Sequence, residues 1–107
     1  MMEKPSLIEH IELGRDLKAA EAALDKVLEH RRFFGAKREH RLANMLRSIY
    51  TIQSTMEDAL YRDYPGIGDA GLAVYYRGTD EQKTALKGLA SRLGLDEDAG
   101  PVGVSKP

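Results

Sequence analysis

The sequence contains no cysteine and no tryptophan, and only four prolines in 107 residues. Without cysteine the chain has no disulfide, no thiolate metal ligand and no thiol nucleophile, and it suits a reducing compartment. Two phenylalanines and five tyrosines are its only aromatic residues. Because so few aromatic side chains cannot anchor a large globular core, aliphatic positions along helices must supply most of the burial.

Long apolar runs are also missing. No stretch approaches the roughly 18 apolar residues of a membrane span, and the opening MMEKPSLIEH lacks the apolar centre of a secretory signal. We therefore expect a cytoplasmic protein without membrane contact. With 42% apolar and 31% charged residues, the composition is that of a soluble chain that folds as one domain.

Residues 6–64 carry the spacing of two long helices. Ser6 followed by Glu9 is a capping box that predicts the start of the first helix. The apolar positions of this helix follow steps of three and four residues, broken only by Arg31: Leu13, Leu17, Ala20, Leu24, Val27 and Phe34. Gly35 is expected to end it in the left-handed conformation. The second helix then continues to Tyr64, where Pro65 stops it.

Two helices of similar length with a short joint predict a long antiparallel hairpin, all-α and coiled-coil-like. The alternative is one continuous helix over residues 6–64, since nothing near Gly35 forces a break. A hairpin leaves apolar residues such as Ile8, Ile11 and Leu28 without cover. We therefore expect a homodimer that completes a four-helix bundle.

Residues 69–94 predict two short C-terminal helices. The first is expected from Asp69 to Tyr76, although LAVYY, residues 72–76, has the β-branched and aromatic composition of a strand. Helix is favoured because no second strand is available for pairing. The helical domain is expected to span residues 1–94, followed by a flexible tail over residues 95–107.

The second of these helices has clear end signals. Thr79 with Gln82 forms another capping-box pattern at its start. Gly94 is expected to stop it after Leu93, and Gly78 closes the preceding helix. Its apolar face is predicted to consist of Leu86, Leu89 and Leu93.

The sequence contains short patterns that resemble nucleotide-binding and metal-binding motifs, but their neighbouring residues do not fit either kind of site. GIGDAG, Gly66 to Gly71, matches the dinucleotide fingerprint, yet a helix and Pro65 precede it where a strand is required, so it is interpreted as a turn. The three Glu-His pairs, at His10, His30 and His40, are sequence neighbours whose side chains diverge by about 100° around a helix. We expect no metal, no cofactor, no catalytic residue and no enzymatic activity.

Basic charge is concentrated in one segment. Residues 30–49 hold six basic and one acidic side chain, while each of the other segments is net acidic. At the joint of a hairpin these residues would form a basic-aromatic tip. The candidate partner-binding residues are Arg31, Arg32, Phe33, Phe34, Lys37, Arg38 and Arg41. Two adjacent phenylalanines point about 100° apart, so only one is expected to turn inward.

The sequence therefore favours a small helical interaction module that acts as an adaptor, a regulator or inhibitor of a larger protein, or an assembly subunit. Its tip would meet an acidic protein surface through arginine forks and one phenylalanine. The alternative is a nucleic-acid-binding accessory protein that uses the same patch. A metal-carrying bundle comes third, and a tip whose arginines only pair with Glu29 and Glu39 is the competing structural explanation.

Overall fold

A computed structural model of the chain describes residues 4–95, and every regular element in this range is helical. The elements are α1 (Leu7–Leu28), a first 3-10 helix (Arg31–Phe33), α2 (Ala36–Asp63), a second 3-10 helix (Gly68–Ala73) and α3 (Asp80–Arg92). No strand occurs between residues 4 and 95. The all-α prediction is confirmed, and the strand considered for residues 72–76 is not formed.

Both predicted capping boxes are present. The Ser6 hydroxyl accepts from the Glu9 backbone amide at the start of α1, and the Thr79 hydroxyl accepts in the same way from Gln82 at the start of α3. In each case the side chain of the third helical residue accepts from the capping residue's amide in return. Each box satisfies two amides that a helix start leaves without partners, so these two boundaries are local properties of the sequence.

The joint between the long helices differs from the prediction. Helix α1 ends at Leu28, and the first 3-10 helix separates it from α2. Gly35 is extended, with φ −63° and ψ 161°, and it caps the start of α2. The predicted left-handed Gly35 is therefore wrong, because the chain leaves the helix before it reaches this glycine. A single continuous helix over residues 6–64 is likewise not formed.

Contacts between α1 and α2 run in opposite order along the two helices. The Tyr64 hydroxyl donates to the Pro5 carbonyl at 3.3 Å, just before α1 begins. About three turns further along α2 towards its start, the Gln53 side-chain amide donates to Glu21 at 3.0 Å. Gln53 is fully buried between the helices, so a polar contact lies inside this interface.

The core lies at the end of α1 and α2 that is far from Gly35. Four fully buried residues form its centre: Ile11 from α1, Leu60 from α2, and Val74 and Tyr75 from the segment after the second 3-10 helix. The predicted apolar face of α3, formed by Leu86, Leu89 and Leu93, packs against this centre. Burial of an aliphatic side chain such as Leu60 stabilises the fold by about 2 kcal/mol.

The buried face of α1 overlaps only in part with the face that the apolar spacing predicts, since Leu17 packs against the core as expected. Leu13 and Val27 are 36% and 40% exposed, whereas His10, Ile11 and Gly14 are buried. The reason is the segment after the second 3-10 helix, which crosses α1 at Gly14. A Cβ at this position would lie 2.0 Å from the Val74 carbonyl oxygen. A glycine therefore marks the point of closest packing, and no apolar pattern could indicate it.

The segment from Gly66 to Gly78 also departs in detail from the prediction. GIGDAG contributes to the second 3-10 helix, and the α-helix expected from Asp69 to Tyr76 is not formed. Gly94, with φ 79°, directly follows the C-cap residue of α3, which confirms the predicted stop. Gly78 also has positive φ, 71°, but the helix that it was expected to close is not formed.

The predicted tail over residues 95–107 lies outside the described residues except for its first residue. The Leu95 amide donates to the Ala90 carbonyl at 2.8 Å, and the Leu95 side chain packs against the core. Leu95 therefore belongs to the folded part of the chain.

Candidate functional site

The tip, residues 29–41, presents one phenylalanine to solvent and turns the other inward. Phe33 is 69% exposed, while Phe34 is half-buried. The Arg32 guanidinium carbon lies 4.5 Å from the centre of the Phe33 ring, and the His30 ring stacks on Phe33 with centroids 6.3 Å apart. The result is an exposed aromatic surface backed by a cation and a second ring.

Charges at the tip are only partly compensated within it. The Arg31 Nε lies 3.7 Å from a Glu39 carboxylate oxygen, and both side chains are about half exposed or more. Such a surface pair contributes little to stability. Lys37, Arg38 and Arg41 are exposed on the first turns of α2. The structure therefore brings the predicted partner-binding residues to one end of the molecule, around the joint of α1 and α2.

Beside the tip is a shallow groove with a mixed lining. Its apolar wall is formed by Val27, Phe34 and Leu42, and its rim carries Arg38 and Arg41. Helix positions 38, 41 and 42 share one face of α2 because they are three and four residues apart. The inward-turned Phe34 thus lines a recess rather than a closed core.

A second group of interacting side chains lies in the core, at His10. The His10 Nδ1 is 2.5 Å from the Tyr75 hydroxyl oxygen, and its Nε2 is 3.9 Å from the Asp63 Oδ2. The rings of Tyr64 and Tyr75 meet the imidazole edge to face at 6.0 and 5.8 Å. The roles are complementary when Nε2 carries the proton towards Asp63 and Nδ1 accepts from Tyr75.

Burial controls the ionisation of this group. It lowers the pKa of His10 below the ordinary value, and the charge of Asp63 opposes this shift. It also raises the pKa of the Tyr75 hydroxyl well above the usual range. The imidazole is therefore neutral and the phenol is protonated at neutral pH. Neither ring reaches solvent, since both are 0% exposed, so the group acts on the fold rather than on a dissolved substrate.

Sequence reasoning missed this core histidine, because His10 lies between the charged residues Glu9 and Glu12 and outside the predicted apolar seam. His30 stacks at the tip and His40 is exposed on α2. Between residues 4 and 95 no cluster of three or more histidine or acidic side chains is arranged to hold a metal ion.

A further basic surface was missed altogether. Arg15 and Lys18 on α1 meet Arg77 and, from α3, Lys83 and Lys87 around one groove. Counting charge by segment hid this set, because residues 1–29 are net acidic. The sequence signal that could have found it is helical spacing. Arg15 and Lys18 are three residues apart and Lys83 and Lys87 are four apart, so each pair lies on one face of its helix.

In the described part of the chain, no helix is both long and apolar enough to cross a bilayer. No protein-family model matches the sequence, and neither a curated protein nor a solved structure is significantly similar to it.

Proposed function

We propose that this protein is a non-enzymatic interaction module that docks on an acidic surface of another protein through its tip. The observation that carries the proposal is Phe33, which is 69% exposed and has the Arg32 guanidinium over its ring. Covering a large exposed aromatic side chain with a partner surface removes apolar area from water and so favours binding. Aromatic and arginine side chains are also the residues that most often dominate binding energy at protein interfaces.

Two kinds of contact would form in such a complex. The guanidinium groups of Arg31, Arg32, Arg38 and Arg41 can bind carboxylates as forks with two parallel hydrogen bonds. Phe33 can enter an apolar recess, and the groove lined by Phe34 can receive an apolar side chain in return. The partner is therefore expected to combine acidic residues with both a recess and a projecting apolar group.

Nucleic-acid binding by the same surface is the alternative. It would use the tip cations on phosphates and Phe33 as a stacking platform for an unpaired base. A protein partner is favoured because a single exposed aromatic ring is a small platform. The apolar wall of the groove beside Phe34 also offers no side-chain hydrogen-bond donor to a phosphate backbone.

We further propose that α1 and α2 act as an antiparallel hairpin and that a second copy completes a four-helix bundle. The opposite order of the Pro5–Tyr64 and Glu21–Gln53 contacts supports the hairpin. Large side chains on α1 and α2 are left exposed: Ile8, Leu13 and Val27 on α1, and Met45, Tyr50 and Ile52 on α2. Leu13 and Val27 are 14 positions apart and Met45 and Ile52 are seven apart, as on a coiled-coil face, which supports a dimer.

The docking proposal is tested by affinity capture from the native host with a tip variant, Phe33→Ala, and a double charge reversal, Arg31→Glu/Arg38→Glu. Both are expected to lose a specific partner by tenfold or more in recovered amount, as for hot-spot residues. The matched control is Lys83→Glu/Lys87→Glu, which reverses two charges away from the tip and should retain the partner. Equal capture by all variants would contradict the proposal.

Salt dependence separates the two candidate partners. A complex anchored by Phe33 should weaken modestly over a few-fold rise in salt. Phosphate binding should weaken steeply, because each contact releases counterions. Retardation of an oligonucleotide at low salt that is lost in Arg31→Glu/Arg38→Glu would favour the nucleic-acid alternative, and a single-stranded oligonucleotide should then also bind Phe33→Ala more weakly.

The dimer is tested by sedimentation velocity of the purified chain. Met45→Glu/Ile52→Glu is expected to convert a dimer to a monomer, since two carboxylates would be buried in the interface. Leu72→Glu is the control, because Leu72 is 39% exposed but lies outside α1 and α2. A wild-type chain that sediments as a monomer at high concentration would refute the bundle.

A further inference from the structure

The groove between α1 and α3 collects positive charge from three separate parts of the chain. Arg15 and Lys18 come from α1, Arg77 follows the second 3-10 helix, and Lys83 and Lys87 lie on α3. The other lining residues are Ala73, Leu86 and Ala90, so the described lining contains no carboxylate. We call this surface the basic groove. Five cationic side chains around one small volume repel each other unless an anion joins them.

Lys18 is the fixed member of this group. Its ammonium group donates to the Ala73 carbonyl oxygen at 2.7 Å, which holds the charge at the wall of the groove. Burial lowers the pKa of Lys18, and the charges of Arg15 and Lys83 lower it further. These two cations therefore act directly on the Lys18 ammonium. An ammonium has three N–H donors, so one hydrogen bond to Ala73 leaves two for a ligand.

The wall that carries Lys18 is rigidly placed. Gly14 packs so closely on the Val74 backbone that a Cβ would clash with it. This contact holds the segment containing Ala73 and Arg77 against α1. On the opposite side, the helix start at Thr79 fixes the beginning of α3. The cations are thus mounted on packed elements, which lowers the entropy lost when a ligand is bound.

We propose that the basic groove binds a small organic phosphate, whose phosphate oxygens accept hydrogen bonds from the cationic side chains while its apolar part lies on the half-buried Leu86. Arginine and lysine are the usual partners of phosphate groups. The cavity volume of about 280 Å³ is slightly below the roughly 300–1,000 Å³ of pockets for drug-sized ligands. It therefore suits a phosphomonoester with a single ring or a short aliphatic chain.

Calorimetric titration and thermal unfolding of the full chain with phenyl phosphate test this site. Sodium chloride at matched ionic strength and inorganic phosphate serve as comparison solutes. Phenyl phosphate is expected to bind saturably and to raise the melting temperature, because a ligand of the native state stabilises it. Inorganic phosphate should bind more weakly, since it leaves the exposed part of Leu86 uncovered. Absence of saturable phenyl phosphate binding would overturn the proposal.

Variants locate the binding. Lys83→Gln/Lys87→Gln is expected to weaken phenyl phosphate binding by about tenfold or more, as for the loss of two charge-assisted hydrogen bonds. The matched control, Lys37→Gln/Arg38→Gln, makes the same change of net charge at the tip and should retain wild-type affinity. Equal weakening by both variants would show that net charge alone attracts the anion and would overturn the site. Neither result depends on whether the tip docks on a protein.

A lipid headgroup presents the same phosphate chemistry, so vesicles form the last arm of the test. Vesicles of phosphatidylcholine with and without phosphatidic acid are mixed with the protein and sedimented. A soluble ligand predicts no co-sedimentation with either. Co-sedimentation that requires phosphatidic acid and is lost in Lys83→Gln/Lys87→Gln, without binding of phenyl phosphate, would overturn the soluble ligand and assign these cations to a lipid headgroup.

Discussion

His10 and Tyr75 are 65 residues apart in sequence, yet the His10 Nδ1 and the Tyr75 hydroxyl oxygen lie 2.5 Å apart in the core. Both side chains are fully buried. This hydrogen bond ties the first turns of α1 to the segment that follows the second 3-10 helix. It is therefore a contact through which the charge state of one side chain acts on the whole fold.

Tyr75→Phe should measure how much the His10–Tyr75 hydrogen bond contributes to stability. The phenyl ring keeps the packing, but the His10 Nδ1 loses its buried partner, so the free energy of unfolding is expected to fall by about 1–3 kcal/mol. Urea unfolding followed by circular dichroism measures the change. Tyr50→Phe, at a ring that is 42% exposed, serves as the control and should change stability by less than about 0.5 kcal/mol. Similar losses in both variants would contradict a special role for Tyr75.

The stability of the protein should fall as the pH drops below 6.5, the ordinary pKa of histidine. Because burial lowers the pKa of His10 in the folded chain, the unfolded chain takes up this proton first, and protonation favours unfolding. The slope for one proton is at most about 1.4 kcal/mol per pH unit. Urea unfolding between about pH 7.5 and pH 5.5 measures it, within the range where histidine titrates.

Two substitutions isolate His10 as the source of that slope. His10→Gln should be less stable than the wild type at neutral pH, and its stability should depend less on pH across this window. His30→Gln, at an exposed ring of the tip, should keep the wild-type slope. A slope that survives His10→Gln and disappears in His30→Gln would show that the titrating group is elsewhere.

Two helical glycines should respond in opposite directions to alanine. Gly14→Ala places a Cβ 2.0 Å from the Val74 carbonyl oxygen, and the required backbone shift is expected to destabilise the fold by about 2 kcal/mol or more. At Gly88 the nearest atom to a Cβ is a flexible Arg92 nitrogen at 3.6 Å. Gly88→Ala should therefore stabilise α3 by about 0.5–1 kcal/mol. Thermal unfolding compares them, and a stable Gly14→Ala would refute the close packing.

Glu57→Gln is expected to stabilise the protein at neutral pH. Burial, with the neighbouring charge of Asp58, raises the pKa of Glu57, and its Oε2 is buried without a hydrogen-bond partner. The folded chain thus holds this proton more strongly than the unfolded chain, and ionisation above pH 4.5 opposes folding. A neutral glutamine at position 57 removes the free-energy penalty of this ionisation. The Gln53 Oε1, one helical turn earlier, is also buried without a hydrogen-bond donor, so the new amide has an acceptor nearby.

The gain should be about 1 kcal/mol if the new amide donates to Gln53, and it should shrink towards pH 4, where Glu57 is itself protonated in the folded chain. Urea unfolding at both pH values measures it. Glu12→Gln, at an exposed position of α1, is the matched control and should show no comparable gain. A stability that falls in Glu57→Gln would mean that the carboxylate is charged and paired.

The helix boundaries with local signals were predictable, and the buried face of α1 was not. Ser6 and Thr79 cap helices with side chains that reach only three residues along the chain. The buried face depends instead on which distant segment crosses the helix. Leu13 and Val27 fit an apolar seam but stay exposed, while His10 and Gly14 break the pattern and are buried.

The candidate sites divide in the same way. The tip could be found from sequence because its cations are neighbours in one segment. Phe33 and Phe34 differ in exposure as expected, but the cause is the end of the 3-10 helix at Phe33 and the extended backbone of Phe34, not the expected α-helical geometry. The basic groove could not, since its cations come from positions 15 to 87 and are interspersed with acidic residues. Only the packing of α3 and the second 3-10 helix on α1 brings them together.

By itself the sequence determined the all-α class, both capping boxes, the glycine stop at Gly94 and the concentration of basic charge in residues 30–49. These depend on backbone hydrogen bonds and conformational limits that act within a few residues. The tertiary structure alone decided that Gly14 would meet Val74, that His10 would be buried against Tyr75 and that Lys18 would bind the Ala73 carbonyl. Each of these contacts joins residues at least 55 positions apart, and close packing of the whole chain selects them.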